Sequence, residues 1–309
     1  MLTYIEPDGT VFTANSTRQD NGKRVFPTDY YWMYLRMGKE KNIPEFLSMA
    51  NYIFELIEKY QMLSPDILLH FMSHPELVAL EYEDSTKAKV FHKIYTDSGI
   101  ARVGCRDYSY TIMKGKSNFL YFSNSSIDVA LKIGGSLCEH RAFVPETMED
   151  TEDGFVLTQV MKGWYYLPFK EKPNTNDWWQ MNHENREKVW GPDMHIKVQV
   201  KEVADGIDIH MKLTGIQNAP FRVEAAVTGA QMIENQFFGV AATKGGCILA
   251  KEGMITVSNY SDCLEIGPGF GTHSYIEGKF GSELQQHNCF TIYFTDYTEF
   301  DHCIKIRNK

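Results

Sequence analysis

The chain has 309 residues, 43% of them hydrophobic and 23% charged, and a formal net charge of −9. This is the composition of a soluble globular protein, long enough for one large β domain or two ordinary ones. The acidity excludes the basic stripe that a nucleic-acid partner needs, and no apolar run approaches the roughly 18 residues of a membrane-crossing helix, so no membrane partner is expected.

The N-terminus, M-L-T-Y-I-E-P-D-G-T, lacks the basic and apolar regions of a signal peptide. The expected location is cytoplasmic for the chain as given, or periplasmic or secreted if its N-terminus is truncated. Residues 1–25 read as extended and polar around a Pro7-Asp8-Gly9 turn, and N-S-T-R-Q-D (Asn15 to Asp20), dense in hydrogen-bonding groups, reads by pattern as a solvated loop. Pro27-Thr28-Asp29 then predicts a helix start, followed by a helix carrying Tyr30, Tyr31, Trp32, Tyr34 and Leu35 and ending at Gly38. Pro44 opens a second helix in which Phe46, Leu47, Met49, Ala50, Ile53, Phe54 and Ile57 recur at helical spacing. Shorter helical pieces are expected over Pro65 to Met72 and Pro75 to Leu80. Helices this apolar must pack on each other, on a sheet, or on a partner, so a homo-oligomer formed through them is one expected assembly.

From Ile100 the apolar period changes from 3.6 to 2. Strands are predicted at Ile100–Cys105, Tyr108–Met113, Asn118–Phe122, Ser126–Ile133, Phe155–Met161, His195–Val203 and Gly206–Leu213. They continue at Phe221–Thr228, Gln236–Ala242, Gly246–Ala250, Met254–Ser258, Cys263–Ile266, Asn288–Phe294 and Cys303–Ile306. Closely spaced strands without intervening helices predict a mainly β fold, a large antiparallel multi-strand super-sandwich preceded by a short α-helical region. The domain division that follows is 1–98 helical and 99–309 sandwich.

Within the sandwich, Ile127, Val129, Leu131 and Ile133 alternate with Asp128, Ala130 and Lys132, and Gly134-Gly135 reads as a turn or bulge that ends the strand. Past it stand Glu139, His140 and Arg141, a base and a carboxylate-binding cation, with a structural salt-bridged histidine as the plain alternative. Glu146, Glu149, Asp150, Glu152 and Asp153 read as a solvated acidic loop. The insertion Tyr165 to Asp193 carries Trp178, Trp179, Trp190, His183 and Arg186 among many amides. It is either a ligand wall or a loop that staples one end of the sandwich. The six cysteines lack C-x-x-C or zinc-ligand spacing, which predicts reduced thiols.

Taken in order, N-S-T-R-Q-D, the aromatic run D-Y-Y-W, G-G-S-L-C-E-H-R and K-G-W-Y-Y-L-P-F resemble the C-terminal part of the heparinase II/III-like polysaccharide lyases. In that family a helical toroid precedes the super-sandwich, so the resemblance makes residues 1–98 the remnant of a toroid. It implies cleavage of uronic-acid-containing glycans by β-elimination, or a non-catalytic carbohydrate-binding or scaffold protein derived from such a lyase. It further implies His140 and Tyr30 or Tyr31 as proton-transfer groups. Arg18, Gln19, Asn15 and Arg141, with Trp178, Trp179 and His183, would bind the acidic polysaccharide or oligosaccharide. No cofactor is implied, and a structural divalent metal stays an open alternative.

Overall fold

The computed structural model describes residues 2–16, 22–77, 84–276 and 288–309. The protein is mainly β, with large antiparallel sheets and a short helical region near the N-terminus.

That region comprises α1 (Tyr31–Lys41), α2 (Pro44–Tyr60) and α3 (Pro65–Ser73). Pro44 and Pro65 stand in first turns, where the missing N–H costs nothing. Gly38 does not end α1 as its sequence suggests. The helix runs on to Lys41 and is capped by Asn42 at φ 56°, because Leu47 packs so close to Gly38 that a Cβ would lie 2.7 Å from its Cδ2. The glycine serves helix packing. Tyr31, Leu35, Met49, Ile53 and Ile57 form the helical core, which also takes in Ile5. Met33, Met37, Leu68, Leu69 and Met72 remain exposed.

The strands are β1 (Phe91–Tyr95), β2 (Ile100–Gly104), β3 (Ser109–Met113), β4 (Asn118–Ser123), β5 (Asp128–Leu137), β6 (His140–Ala142), β7 (Thr147–Thr151) and β8 (Gly154–Met161). After them come β9 (Trp164–Tyr166), β10 (Lys188–Trp190), β11 (Met194–Val203), β12 (Gly206–Thr214), β13 (Pro220–Thr228) and β14 (Met232–Asn235). The last six are β15 (Phe238–Ala241), β16 (Cys247–Leu249), β17 (Ile255–Ser258), β18 (Cys263–Gly267), β19 (Phe290–Tyr297) and β20 (Phe300–Asn308). One nine-stranded sheet runs β1-β2-β3-β4-β5-β13-β19-β16, with β6 added beside β5. The other runs β15-β14-β17-β18-β20-β12-β11-β8-β7, while β9 and β10 form a separate ribbon. Val129, Leu131, Ile133, Val223 and Ala225 of the first sheet meet Val198, Val200, Ile207 and Ile209 of the second in one buried core. This is two sheets packed face to face, each burying the apolar half of its alternation.

The strand pattern departs from expectation at several places, with β6, β9, β10 and β14 all additional to the predicted strands. β1 begins the sheet at Phe91, inside the stretch expected to be helical. The acidic segment after Glu146 is an edge strand, β7, paired with β8. Charge on an exposed edge deters further strand pairing and imitates a loop in sequence. Gly134-Gly135 does not end β5, which continues to Leu137, but the β5–β6 register is irregular between Gly134 and Leu137, in line with the bulge; the turn falls at Cys138, at φ 54°. Gly135 lies opposite Phe221 on the core side, where a Cβ would come 2.2 Å from the ring.

The outer face of the first sheet is polar. Lys132 and Arg222 flank Glu224 there, at 3.2 and 2.6 Å. Across its β2–β5 end lies the N-terminal segment, a strap whose arms are joined by Ile5 bridging Val11. Arg102, fully buried on β2, holds it: the guanidinium donates to Thr3 O (3.0 Å), Ile5 O (3.1 Å) and Glu6 Oε1 (2.9 Å).

Candidate functional site

Under the strap is a cavity of about 400 Å3. Its floor is the outer face of β4, β5 and β13, where the alternation places Tyr121 and Ser123, Asp128 and Ala130, Ala226 and Thr228. Ala130 pairs with Ala226 in register. Two methyl side chains opposite each other leave a hollow that larger residues would fill. Phe12, Thr13 and Ala14 on one arm of the strap and Lys23 and Arg24 on the other close it from above.

Arg24 fastens the return arm. It donates to Ser125 O (2.8 Å), Ser126 O (3.1 Å) and Asp128 Oδ2 (2.8 Å), and pairs with Asp8. Ser123 Oγ donates to Asp128 Oδ1 at 2.7 Å. The Asp128 side chain is 37% accessible, through the cavity it lines. The protein packed around it nevertheless desolvates the charge and pushes its pKa up to about 6, against the opposing pull of Arg24 and Ser123. Burial also raises the Tyr121 phenol, which accepts from Asn118 Nδ2 at 3.2 Å. A carboxyl that titrates near neutrality and a phenol held protonated thus share one polar, ring-lined hollow.

The native state holds the Asp128 proton more tightly than the unfolded chain does. Its contribution therefore makes stability fall as pH rises from about 4 to about 6, and the loss persists above that range. Asp128→Asn, which removes the ionisable group, is expected to stabilise the protein at pH 7 by about 1–2 kcal/mol, after discounting for solvent screening. Urea titrations of both proteins at pH 4 and pH 7 read the effect; an equal gain at both values would assign it elsewhere.

The residues singled out from sequence are distributed over separate places. Asn15 follows Ala14 at the cavity rim and donates to Tyr4 OH at 3.5 Å. Arg18 and Gln19 lie outside the described residues, although the flanking Ala14 and Gly22 both line the cavity. His140 opens β6 and pairs with Leu137 at the far end of β5. Nine residue steps separate Asp128 from Leu137, roughly 30 Å of strand rise, so His140 and Arg141 stand well away from the cavity floor. Tyr31 is buried in the helical core against Phe54 and Phe71, while Tyr30 beside it is 45% exposed. Neither tyrosine is among the cavity-lining residues.

Trp178 and His183 belong to a staple inside the insertion. His183 Nε2 donates to Trp178 O at 2.7 Å, and the rings lie 4.0 Å apart. Trp179, next in the chain, is 89% exposed. The insertion meets the His140 hairpin at its root, where Trp164 N donates to Cys138 Sγ at 3.2 Å. His140 and the insertion therefore share one end of the sandwich, and Asn15 and the cavity the other. Among the described residues no group of three or more His, Cys, Asp or Glu side chains could hold a metal ion.

Tyr121, Asp128 and Arg24 were not distinguished in sequence. The alternation put Asp128 and Ala130 on one face, but the hollow depends on the Ala130–Ala226 pairing and on the strap above it. A second opening, of about 440 Å3, is lined by Lys251, His273, Tyr275 and Tyr297. Its imidazole is committed to the fold: Nε2 donates to Phe221 O and Asp296 O, and Nδ1 accepts from Tyr275 N. No family model matches the chain, and no match is found among curated proteins.

Proposed function

We propose that the chain is a carbohydrate-active protein of the polysaccharide-lyase type that takes an acidic glycan into the cavity under the strap. The observation that carries this reading is the cavity itself: hydroxyls, rings and cations together, with both flanks of the N-S-T-R-Q-D stretch at its rim. A pyranose offers C–H faces to Phe12 and Tyr121, and a uronate carboxylate suits Lys23.

Elimination from a uronate breaks the C5–H bond and then the C4–O4 bond, leaving a C4=C5 double bond. Cations on the carboxylate stabilise the developing enolate. In this reading Asp128 takes the C5 proton and passes it to water, while the Tyr121 phenol gives its proton to the departing O4 and regains one from water. His140 has no part in these steps. A homo-oligomer through α1 and α3 would cover their exposed Met and Leu side chains.

The test is incubation with alginate, polygalacturonate, hyaluronan, chondroitin sulfate and heparin, reading the ultraviolet absorbance of an unsaturated uronide. Asp128→Asn and Tyr121→Phe are expected to lower the rate by a factor of about 10² or more, and His140→Ala to leave it unchanged. Loss of signal in His140→Ala alone would move the chemistry to the other end of β5.

The position of His140 favours a second reading, a non-catalytic carbohydrate-binding protein of the same architecture. Binding of short uronate oligosaccharides that Ala226→Phe abolishes, without absorbance on any substrate, selects it. Neither binding nor absorbance overturns both.

A further inference from the structure

The insertion between β8 and β11 turns one face of its ribbon into a ladder of rings and cations. Trp190 pairs with Trp164 and Lys188 with Tyr166, so alternation places these four side chains on one face. Lys188 Nζ lies 4.1 Å from the centre of the Trp164 ring and 5.6 Å from that of Tyr166. The Arg186 guanidinium continues the series, 4.7 Å from Tyr166 and 5.6 Å from Trp178. Arg186 Nε also donates to Leu167 O at 2.8 Å, which fixes the ladder to its own backbone.

Solvent reaches both ends of this strip. Trp190 is 68% exposed, Trp178 50%, and Trp179 beyond it 89%. Open tryptophans on a pre-ordered support lose little conformational freedom on binding, which marks them as contact groups.

We propose that this strip docks a strand of anionic polysaccharide, apart from the cavity. Rings separated by cations match a polymer in which apolar sugar faces alternate with carboxylate or sulfate groups. A guanidinium or ammonium lying over a ring keeps its charge and its outward N–H donors. The amides of Asn176 and Asn182, close in sequence to Trp178 and Trp179, suit sugar hydroxyls. A protein partner would call for aliphatic side chains beside the rings, and the four residues on this face of the ribbon include none. The surface stands without the cavity reading; only the choice of polymer rests on it. Because the whole chain carries −9, attraction must come from the local cations, and binding should weaken steeply with salt.

Native gels cast with alginate, chondroitin sulfate or heparin test the proposal on the full chain. The wild type is expected to be retarded by at least one polymer. Trp179→Ala combined with Trp190→Ala should weaken binding by about tenfold per ring without altering turnover or binding of short oligosaccharides. Both side chains are exposed, so the folded core stays intact. Lys188→Ala should reduce the salt dependence. Ala226→Phe, which fills the cavity, should leave retardation unchanged, so failure of the cavity reading and failure of this one give different patterns. Three results overturn the docking surface: no retardation of the wild type by any polymer, equal retardation of the double variant, or competition by a single-stranded DNA oligonucleotide as effective as by the polysaccharide.

Discussion

Arg102→Ala is expected to cost about 3–5 kcal/mol of stability and to abolish ligand binding in the cavity. The guanidinium is fully buried and makes bonds to Thr3 O, Ile5 O, Glu6 Oε1 and Thr111 Oγ1, the last at 2.6 Å. Its face lies 4.6 Å from the centre of the Phe12 ring. Removing it strands the Glu6 carboxylate in a largely buried place and leaves two strap carbonyls without donors, each a desolvation penalty with nothing in return. Lysine cannot replace it, since one ammonium cannot serve four acceptors in a planar fan. Urea denaturation reads the stability, and limited proteolysis reads release of the strap. An Arg102→Ala protein that keeps both its urea midpoint and its glycan affinity would show that the strap is held by other means.

The consequence for function is that the cavity belongs to two tethers as much as to the sheet. Arg102 holds the outgoing arm, with Phe12 packed near Ile100 and Met113, and Arg24 holds the return arm to the turn before β5. The tethers differ in kind. Arg102 is buried and insensitive to salt, whereas Arg24 is part-exposed and pairs with a carboxyl that titrates near pH 6.

Alternation made most of the sandwich legible. The Asp205-Gly206 turn joins β11 and β12 in register, with Gln199 opposite His210, and Val129, Leu131 and Ile133 of β5 face the core as their alternation with Asp128 and Lys132 implies. Legibility fails where a residue answers to something distant. Thr147–Thr151 looks like a solvated loop because an edge strand carries charge. Gly38 looks like a helix end because its reason, Leu47, belongs to the next helix. The cavity was hidden for the same cause: nothing in T-D-S-G-I-A-R or in the first six residues announces that Arg102 reaches across about a hundred positions to fix the strap. Of the described residues at the cavity rim, only Asn15 was marked in advance, through the family resemblance and not through pattern.

Gly135→Ala separates the two meanings that a glycine pair can have. As a turn, Gly134-Gly135 would owe its identity to positive φ, and alanine at either position would cost similar backbone strain. In the structure neither glycine has positive φ, and the two differ in what stands over them. A Cβ on Gly135 would lie 2.2 Å from Cε1 of the buried Phe221 ring, whereas one on Gly134 would lie 3.2 Å from Glu224 Oε1 and 3.3 Å from Arg222 Nε. Gly135→Ala is therefore expected to destabilise by about 3 kcal/mol through overpacking, and Gly134→Ala by about 1 kcal/mol. Phe221→Leu, which shortens the opposing side chain, should recover part of the loss. In a double-mutant cycle the coupling between positions 135 and 221 should exceed about 1 kcal/mol. Equal costs at the two glycines with no coupling to Phe221 would restore the turn. The predicted inequality, with rescue, places the demand for glycine in the core between the sheets, on the face of β5 opposite the cavity.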